Sequence, residues 1–362
     1  MCVSLHPARF SDTVVGIFEG ANGRRYMAYQ NVAANLAKLV AGKTNVATTD
    51  GAKPVAATTP APVSKPVKRG TKSMNPRKPA DGKASWNFET AVTPAPSAGT
   101  TAAEGATTAT SSGNAMILPI PDDVASIEVI DTTTCPSFLK DIRSALTPRS
   151  RGGLLGSDSV RRGSKSVEVR IINFDVYTIV IAKNAAAMRK ALASDAVAAD
   201  RRPALNADMI KAYTKWYPGW AIAVCCFNNA DAKEAKPLLF SYEPSKQANP
   251  DDFFVPTLDA HDGKVPNLSA RVDVDHTVFV ATNDMASNRA TTVYYRDAHS
   301  APGIAPGIAE LLPKAVMGKV LRGDMINGDI IFRRSDLAAG KFNGLRALPP
   351  GAEQNGSAAE FI

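Results

Sequence analysis

The sequence predicts an α+β fold in which a strand-rich, mixed or antiparallel sheet forms the core together with a few helices. The first observation is the stretch at residues 220–242, where two apolar runs of strand length flank a polar connection. The second is the number of short runs rich in β-branched residues between turn signals such as Gly-Ala-Asn-Gly. The third is that strand and helix patterns do not alternate regularly, which argues against a doubly wound parallel sheet.

The N-terminal part of the predicted core covers residues 2–42. Residues 2–6 and 13–19 are apolar runs of strand length, and residues 24–30 return as a third strand after the turn at 20–23. Apolar residues then recur at helical spacing over 31–40. We therefore predict a β-hairpin followed by a short helix in this part.

Residues 44–113 differ in composition from the rest of the chain. They are rich in Ala, Thr, Pro, Ser and Lys, and they contain no Leu, Ile, Tyr, Cys or His. Such a segment buries too little apolar area to offset its ordering entropy. We predict a long disordered insert here, after which the main part of the core runs over 114–348 and ends in a flexible tail at 349–362.

The main part of the core contains further strand and helix signals. Asn184 and Asn206 each precede a helical pattern and are predicted to be N-caps. The predicted strands are 116–120, 126–130, 167–172, 176–181, 221–227, 237–242, 253–258, 271–282, 291–296 and 330–332, and the predicted helices are 136–146, 185–197, 206–216 and 307–317.

The composition narrows the class of protein. No run of about 18 apolar residues occurs, so we expect no transmembrane helix and no membrane partner. The first residues lack the basic flank and apolar core of a signal peptide, so we expect an intracellular, cytoplasmic protein. The 4 cysteines are too few for a disulfide framework in a chain of 362 residues. Cys225 and Cys226 are adjacent and therefore face opposite sides of a strand, which favours packed thiols.

The net charge of +8 is concentrated in one segment. Residues 53–83 carry eight Lys or Arg and one Asp, and a second basic segment lies at 149–165. Basic arms of this kind bind acidic surfaces through salt-sensitive contacts. The sequence therefore predicts a protein partner, with an acidic protein or a nucleic acid as the molecule that the Lys and Arg side chains contact.

The residue at position 2 is a candidate nucleophile. Cys2 is small enough to favour removal of Met1, and the freed α-amino group can accept the thiol proton. This Met-Cys start, followed by a strand and a hairpin, resembles the N-terminal-nucleophile (Ntn) hydrolases that cleave amide bonds. The resemblance covers about 30 residues, and it implies an oxyanion hole and an arginine near the thiol. The residues of the implied types are Arg24 or Arg25, Asn31, Asn114 and Asn228.

A second candidate site consists of aspartates and histidines. Asp259 and His261 are two residues apart and share a face in an extended segment, whereas Asp273 and His276 lie on opposite faces of one predicted strand. These four residues offer the mixed oxygen and nitrogen ligands of a divalent metal. The sequence contains neither His-Glu-x-x-His nor an EF-hand loop. A turn, a solvated strand face and a core histidine explain the same residues equally well.

The sequence leaves three functions open. It contains no Gly-x-Gly-x-x-Gly after a strand, no Walker-type loop and no Gly-x-Ser-x-Gly, so no nucleotide cofactor is predicted. The leading hypothesis is a non-catalytic interaction or assembly protein with basic flexible arms. The alternatives are an Ntn-type amidohydrolase that uses Cys2, and a metal-dependent enzyme that uses the Asp/His residues. Whether the protein is an enzyme stays undecided at this point.

Overall fold

The computed structural model describes residues 3–35, 113–147, 168–204, 206–228, 235–243, 249–299, 307–352 and 360–362. All of them belong to one of the two units of the chain, the one made of residues 1–44 and 110–362. Cys2, both basic segments and the predicted insert, apart from Gly113, lie outside these ranges. Within them the predicted strand-rich α+β fold is confirmed, because three sheets are accompanied by a few short helices.

The largest sheet has seven strands and includes the N-terminal hairpin. Its strands are β1 (Ala8–Glu19), β2 (Arg25–Asn35), β4 (Glu128–Val129), β8 (Leu238–Tyr242), β10 (Arg271–Ala281), β11 (Thr291–Thr292) and β12 (Ala315–Ile326). They are arranged in the order β11-β12-β10-β1-β2-β8-β4. Only β1 and β10 run parallel, whereas every other neighbouring pair is antiparallel. The N-terminal part of the chain therefore completes the main sheet.

Two four-stranded antiparallel sheets complete the fold. One consists of β3 (Gly113–Ile120), β5 (Val169–Phe174), β6 (Tyr177–Ala182) and β7 (Ala221–Asn228), in the order β3-β7-β6-β5. The other consists of β9 (Asp252–Val255), β13 (Asp329–Arg333), β14 (Leu345–Ala347) and β15 (Glu360–Phe361), in the order β15-β14-β13-β9.

The α-helices of the described residues are α1 (Phe138–Leu146), α2 (Ala185–Leu192), α3 (Ala207–Trp216) and α4 (Arg334–Ala338). The side chain of Asn184 accepts a hydrogen bond from the backbone of Ala187, and that of Asn206 accepts from Asp208 and Met209. Both predicted N-caps are therefore confirmed. None of the helices in these ranges is long and apolar enough to span a bilayer.

Alternating side chains of the strands pack into three hydrophobic clusters. Val15 and Tyr29 of the seven-stranded sheet pack with Ile179 and Cys225 of the β3-β7-β6-β5 sheet in the central cluster. The face of the β3-β7-β6-β5 sheet that points away from the central cluster packs against α2 and α3. The face of the seven-stranded sheet that points away from this cluster packs against α1. Because side chains alternate along a strand, strands buried on both faces are apolar throughout. β7 is almost entirely buried, which explains why its sequence is apolar on both faces.

Two predicted helices are wrong where the structure describes them. Residues 31–35 of the helix predicted over 31–40 belong to β2, because Val32 and its neighbours pair with the start of β1, and the rest of that prediction lies outside the described residues. The helix predicted over 307–317 is a 3-10 turn at Gly307–Glu310, followed by the start of β12. In both places long-range strand pairing outweighs a local helical pattern.

Candidate functional site

The first described residues of the chain form an extended segment between two other parts of the protein. Val3 forms a parallel bridge with Ala260, and Ser4 forms an antiparallel bridge with Met116 of β3. Backbone hydrogen bonds follow on both sides: Ser4 to Ala260 (3.1 Å), Leu5 to Ala115 (3.1 Å), Ile117 to Val3 (3.1 Å) and Ala8 to His261 (3.0 Å). This segment covers the outer edge of β3 and lies beside the predicted Asp/His residues.

A buried polar clamp holds residues 257–259 in place. Asp329 accepts hydrogen bonds from the backbone of Thr257 (2.8 Å) and Leu258 (3.1 Å). The side chain of Asn327 accepts from the backbone N–H of Asp259 and donates to its carbonyl, both at 2.8 Å. These contacts satisfy buried backbone groups that have no ladder partner. The position of Asp259 is therefore set by its backbone as well as by its side chain.

Three of the four predicted metal ligands lie close together. His261 Nε2 is 2.7 Å from Asp259 Oδ1, and His276 Nε2 is 3.9 Å from Asp259 Oδ2. Asp259 and His276 are buried, whereas the side chain of His261 is 37% exposed and lies against the ring of Phe10. The cluster therefore has a buried carboxylate at its base and one imidazole that reaches solvent.

Burial and charge set the protonation of this cluster. Burial lowers the pKa of His276 well below its usual value, so this imidazole is neutral at neutral pH. Burial by itself raises the pKa of a carboxyl, but nearby positive charge and the hydrogen bond from His261 hold the pKa of Asp259 below its usual value. Asp259 is thus a carboxylate that orients His261.

Asp273 does not join this cluster. It lies on the exposed face of β10, directly opposite Asp324 of β12, whereas His276 points to the buried face. Among the residues that the structure describes, no group of three or more His, Cys, Asp or Glu is arranged to hold a metal ion. The four-ligand set is therefore not assembled in this structure.

The residues implied by the Ntn resemblance are divided between two places. Asn114 is buried and pairs with both the backbone N–H and the carbonyl of His6, at 3.0 and 3.3 Å. Asn31 is also buried and donates to the Tyr29 hydroxyl at 2.7 Å and to Met116 Sδ at 3.4 Å. Asn114 therefore contacts the N-terminal segment directly, and Asn31 contacts Met116, which is bridged to Ser4 of that segment. The nucleophile predicted at Cys2 lies outside the described residues.

The predicted arginines lie elsewhere. Arg24 directly precedes β2 and contacts Ser126, Ser241 and Glu243. Arg25 is fully buried over the ring of Phe253. Neither arginine forms a hydrogen bond with Asn31 or Asn114.

The structure also contains a sheet edge, the outer side of β5, that the sequence pattern does not identify. β5 is the last strand of its sheet, and none of the described strands pairs with its outer side. Every residue of β5 is at least partly exposed, whereas every residue of β6 is buried. Ile171, in the middle of β5, is among the few large apolar side chains that the described surface exposes. The two strands at 167–172 and 176–181 were predicted, but the exposed side of a strand depends on its neighbours.

Burial keeps the remaining cysteines in the unreactive thiol form. Cys135, Cys225 and Cys226 are free and buried. Burial raises the pKa of both Cys135 and Cys226 to about 12. The prediction that Cys225 and Cys226 are packed thiols is confirmed, because they belong to two different hydrophobic clusters.

Comparison with known proteins yields no family. No protein-family model matches the chain, and no curated protein matches it. Among solved structures, the crystal structure of baculovirus P35 aligns over 91% of this chain and 90% of its own, with 10% identity and a TM-score of 0.34. The caspase-8/P35 complex aligns over 90% of this chain and 89% of that chain, with 10% identity and a TM-score of 0.30. Similarity at this level assigns no function to the present chain.

Proposed function

We propose that this protein binds another protein by adding an extended segment of its partner to the outer edge of β5. The observation that carries this proposal is the open edge itself. An edge strand presents unpaired N–H and C=O groups that a second strand can pair with. Peptide recognition by strand addition uses these main-chain groups for affinity and the alternating side chains for specificity.

β5 is the edge best suited to receive such a strand. The outer edge of β3 is covered by the segment that contains Val3 and Ser4. The edge strands β4, β11 and β15 have two residues each, and β9 has four. β5 has six residues, so among the described strands that end a sheet it offers the longest edge without a partner. Native proteins usually keep such edges short or charged, so an exposed isoleucine in the middle of this edge indicates that another strand binds there.

The register of the hairpin shows which backbone groups face outward. Phe174 and Tyr177 are paired around the two-residue turn Asp175-Val176, so they form the closing hydrogen-bonded pair. In an antiparallel ladder, hydrogen-bonded and non-hydrogen-bonded pairs alternate. The N–H and C=O groups of Val169, Ile171 and Asn173 therefore point away from β6 and are available to a partner strand.

The charge of the chain indicates the chemistry of the partner. The basic segment at 149–165 ends shortly before Val169, so several cations directly precede β5 in the sequence. A partner that continues from an apolar strand into acidic residues matches both features. We therefore assign the site to an extended, β-branched segment with acidic residues at one end.

A defined peptide tests this assignment in the full-length protein. The probe has two glutamates followed by alternating threonine and valine, and fluorescence polarisation measures its binding. Ile171→Pro removes an outward N–H and leaves the bonds to β6 intact, so it should weaken binding at least about tenfold. Ile171→Ala keeps that N–H and should weaken binding less. Amide exchange should slow at residues 169, 171 and 173 when the peptide binds.

Matched peptides separate the outcomes. A peptide N-methylated at alternate residues on one edge should not bind, and a lysine-for-glutamate peptide should bind more weakly. Equal binding of all three peptides, or full binding by Ile171→Pro, would overturn the proposal. Tighter binding of a single-stranded oligonucleotide, or dimerisation of the chain through β5 in sedimentation, would replace the acidic partner with another occupant and overturn it as well.

We propose amide hydrolysis by Cys2 as a second candidate, because one contact favours it. Val3, which is bonded to Cys2, bridges to Ala260, and the residues on either side of Ala260 are the paired Asp259 and His261. A carboxylate-oriented imidazole is the arrangement that activates a thiol nucleophile. The sulfur would attack the amide carbon, the imidazole would pass the thiol proton to the leaving amine, and water would hydrolyse the thioester.

Alkylation followed by mass spectrometry tests the second candidate. Cys2 should react with iodoacetamide faster than the buried Cys135 and Cys226, and His261→Gln should slow that reaction. Cys2→Ser should abolish any amidase activity, whereas Cys225→Ser should not. If Cys2 reacts at the same rate with and without His261, this candidate is wrong. The β5 peptide assay does not depend on either residue, so the two candidates are tested separately.

A further inference from the structure

A cavity with a mixed polar and apolar lining lies between the N-terminal hairpin and α1. Its volume is about 310 Å³, near the lower end of the range for small-ligand sites. Its walls come from β1, β2, α1 and the start of the segment before β8. They consist of Asp12, Val14, Gln30, Asn31, Val32, Lys140, Arg143, Ser144 and Ala235.

A β-bulge shapes one wall of this cavity. The pairing of β1 with β2 shifts between Ser11 and Val14, so that Asp12 and Thr13 together lie opposite Asn31. Asp12 has φ of 55°, a left-handed conformation that aspartate tolerates better than most residues but that still costs energy. The bulge brings the Asp12 carboxylate to 2.6 Å from Arg143 Nη1. Strained residues of this kind concentrate at binding sites.

The opposite wall carries two cations with spare donors. Lys140 and Arg143 are three residues apart on α1 and therefore lie on the same face of the helix. Arg143 uses one N–H group for Asp12, and the Lys140 ammonium forms no ion pair with the described residues. A guanidinium has five N–H donors in a planar fork, so Arg143 can bind a second acceptor through the remaining ones.

We propose that this cavity binds a carboxylate group, which Arg143 and Lys140 hold through charge-assisted hydrogen bonds. Two cations and one carboxylate leave a net charge of about +1 at the cavity, which matches a monoanion better than a doubly charged phosphate. Val14, Val32 and Ala235 provide an apolar wall for the carbon atoms next to the carboxylate. The carboxylate comes either from a small organic acid or from an acidic side chain of a peptide. This inference does not use the β5 edge.

Asp12 sets the selectivity of the site in this arrangement. Its carboxylate occupies one N–H group of the Arg143 guanidinium, which leaves the other donors of the fork for the ligand. It also adds a negative charge that disfavours dianions. Asp12→Asn removes this charge and should shift the preference of the cavity from carboxylate towards phosphate.

NMR titration of the full-length protein tests the site. The probes are isobutyrate, methyl phosphate and a three-residue peptide with glutamate between two valines. Isobutyrate and the peptide should shift the Arg143 Nε–Hε signal saturably, at a Kd of about 1–10 mM for the small acid. A larger shift with the peptide than with isobutyrate would identify a peptide as the source of the carboxylate, and the reverse order would identify a free acid.

Variants distinguish a built site from general attraction to a basic surface. Arg143→Lys keeps the charge but loses the fork, and it should weaken isobutyrate binding about tenfold. Arg189→Lys on α2 is the matched control, because Arg189 also lies on an exposed helix face, and it should have no effect. Thermal unfolding of both variants confirms that they fold. No saturable shift, equal shifts at Arg189, or tighter binding of methyl phosphate by the wild type would overturn the proposal.

Discussion

The hydroxyl of Tyr217 donates a hydrogen bond to Oδ2 of Asp329 at 2.6 Å, and both side chains are buried. The other carboxylate oxygen of Asp329 accepts from the backbone of Thr257 and Leu258. Burial raises the pKa of Asp329 to about 6 even though these hydrogen bonds favour the charged form. The pair links α3 to the turn that holds Asp259, so its protonation bears on the stability of this region.

The stability of the protein should therefore depend on the protonation of Asp329. Between about pH 4 and pH 6 the folded state keeps a proton on Asp329 that the unfolded state releases. The free energy of unfolding then falls as the pH rises through this window, by roughly 1–3 kcal/mol from this residue. Asp329→Asn should remove this contribution. Urea unfolding of both proteins at a series of pH values measures it, and parallel pH curves would contradict it.

Asn327 should be one of the most sensitive positions of the clamp. Asn327→Ala leaves the N–H and C=O of Asp259 without their partner in a buried site. We expect a loss of about 2–4 kcal/mol in the free energy of unfolding. Asn267 is exposed, and within the described part of the chain its side chain accepts from the nearby backbone N–H of Ser269 alone, so Asn267→Ala should cost under about 1 kcal/mol. Equal losses in the two variants would show that the clamp does not stabilise the segment.

The two neighbouring isoleucines of β5 should respond differently to proline. The N–H of Ile171 points outward, so Ile171→Pro should lower the free energy of unfolding by less than about 1 kcal/mol. The N–H of Ile172 points to β6, so Ile172→Pro should cost about 3 kcal/mol or more. Chemical denaturation compares the two variants. A larger loss for Ile171→Pro would mean that the assigned register of the edge is wrong.

Gly16 should tolerate no side chain. A Cβ at this position would collide with the ring and the carbonyl oxygen of Phe279 on the neighbouring strand. Gly16→Ala should therefore destabilise the protein by about 1–3 kcal/mol through overpacking. Phe279→Leu should relieve only the part of this loss that comes from the ring. A double-mutant cycle measures that coupling, and strict additivity of the two substitutions would show that the ring is not the obstacle.

Local sequence patterns predicted the features that depend on near neighbours in the chain. Asn184 and Asn206 were identified as N-caps because capping needs only the next turn of the helix. β7 was identified because a strand buried on both faces is apolar throughout. The segment that begins with residues 31–35 was misread because its alanines suit a helix locally, whereas its pairing partner lies some 20 residues away in β1.

The candidate sites were predicted only in part for the same reason. Asp259 and His261 were expected to share a face, and they do, because side chains alternate in an extended segment. The alternation along β10 placed Asp273 opposite His276, and the structure shows that only His276 faces the cluster. The cavity between the N-terminal hairpin and α1 was not predicted at all, because Asp12, Asn31, Arg143 and Ala235 are widely separated in sequence.

The sequence by itself determined the fold class, the central buried strands and the helix caps of this protein. Those features follow from composition, periodicity and contacts between near neighbours. Only the tertiary structure decided that none of the described strands pairs with the outer side of β5, that Asp259 lies beside both His261 and His276, and that a bulge brings Asp12 to Arg143. Each of these depends on which distant segment packs beside a given residue, and a local pattern contains no information about that choice.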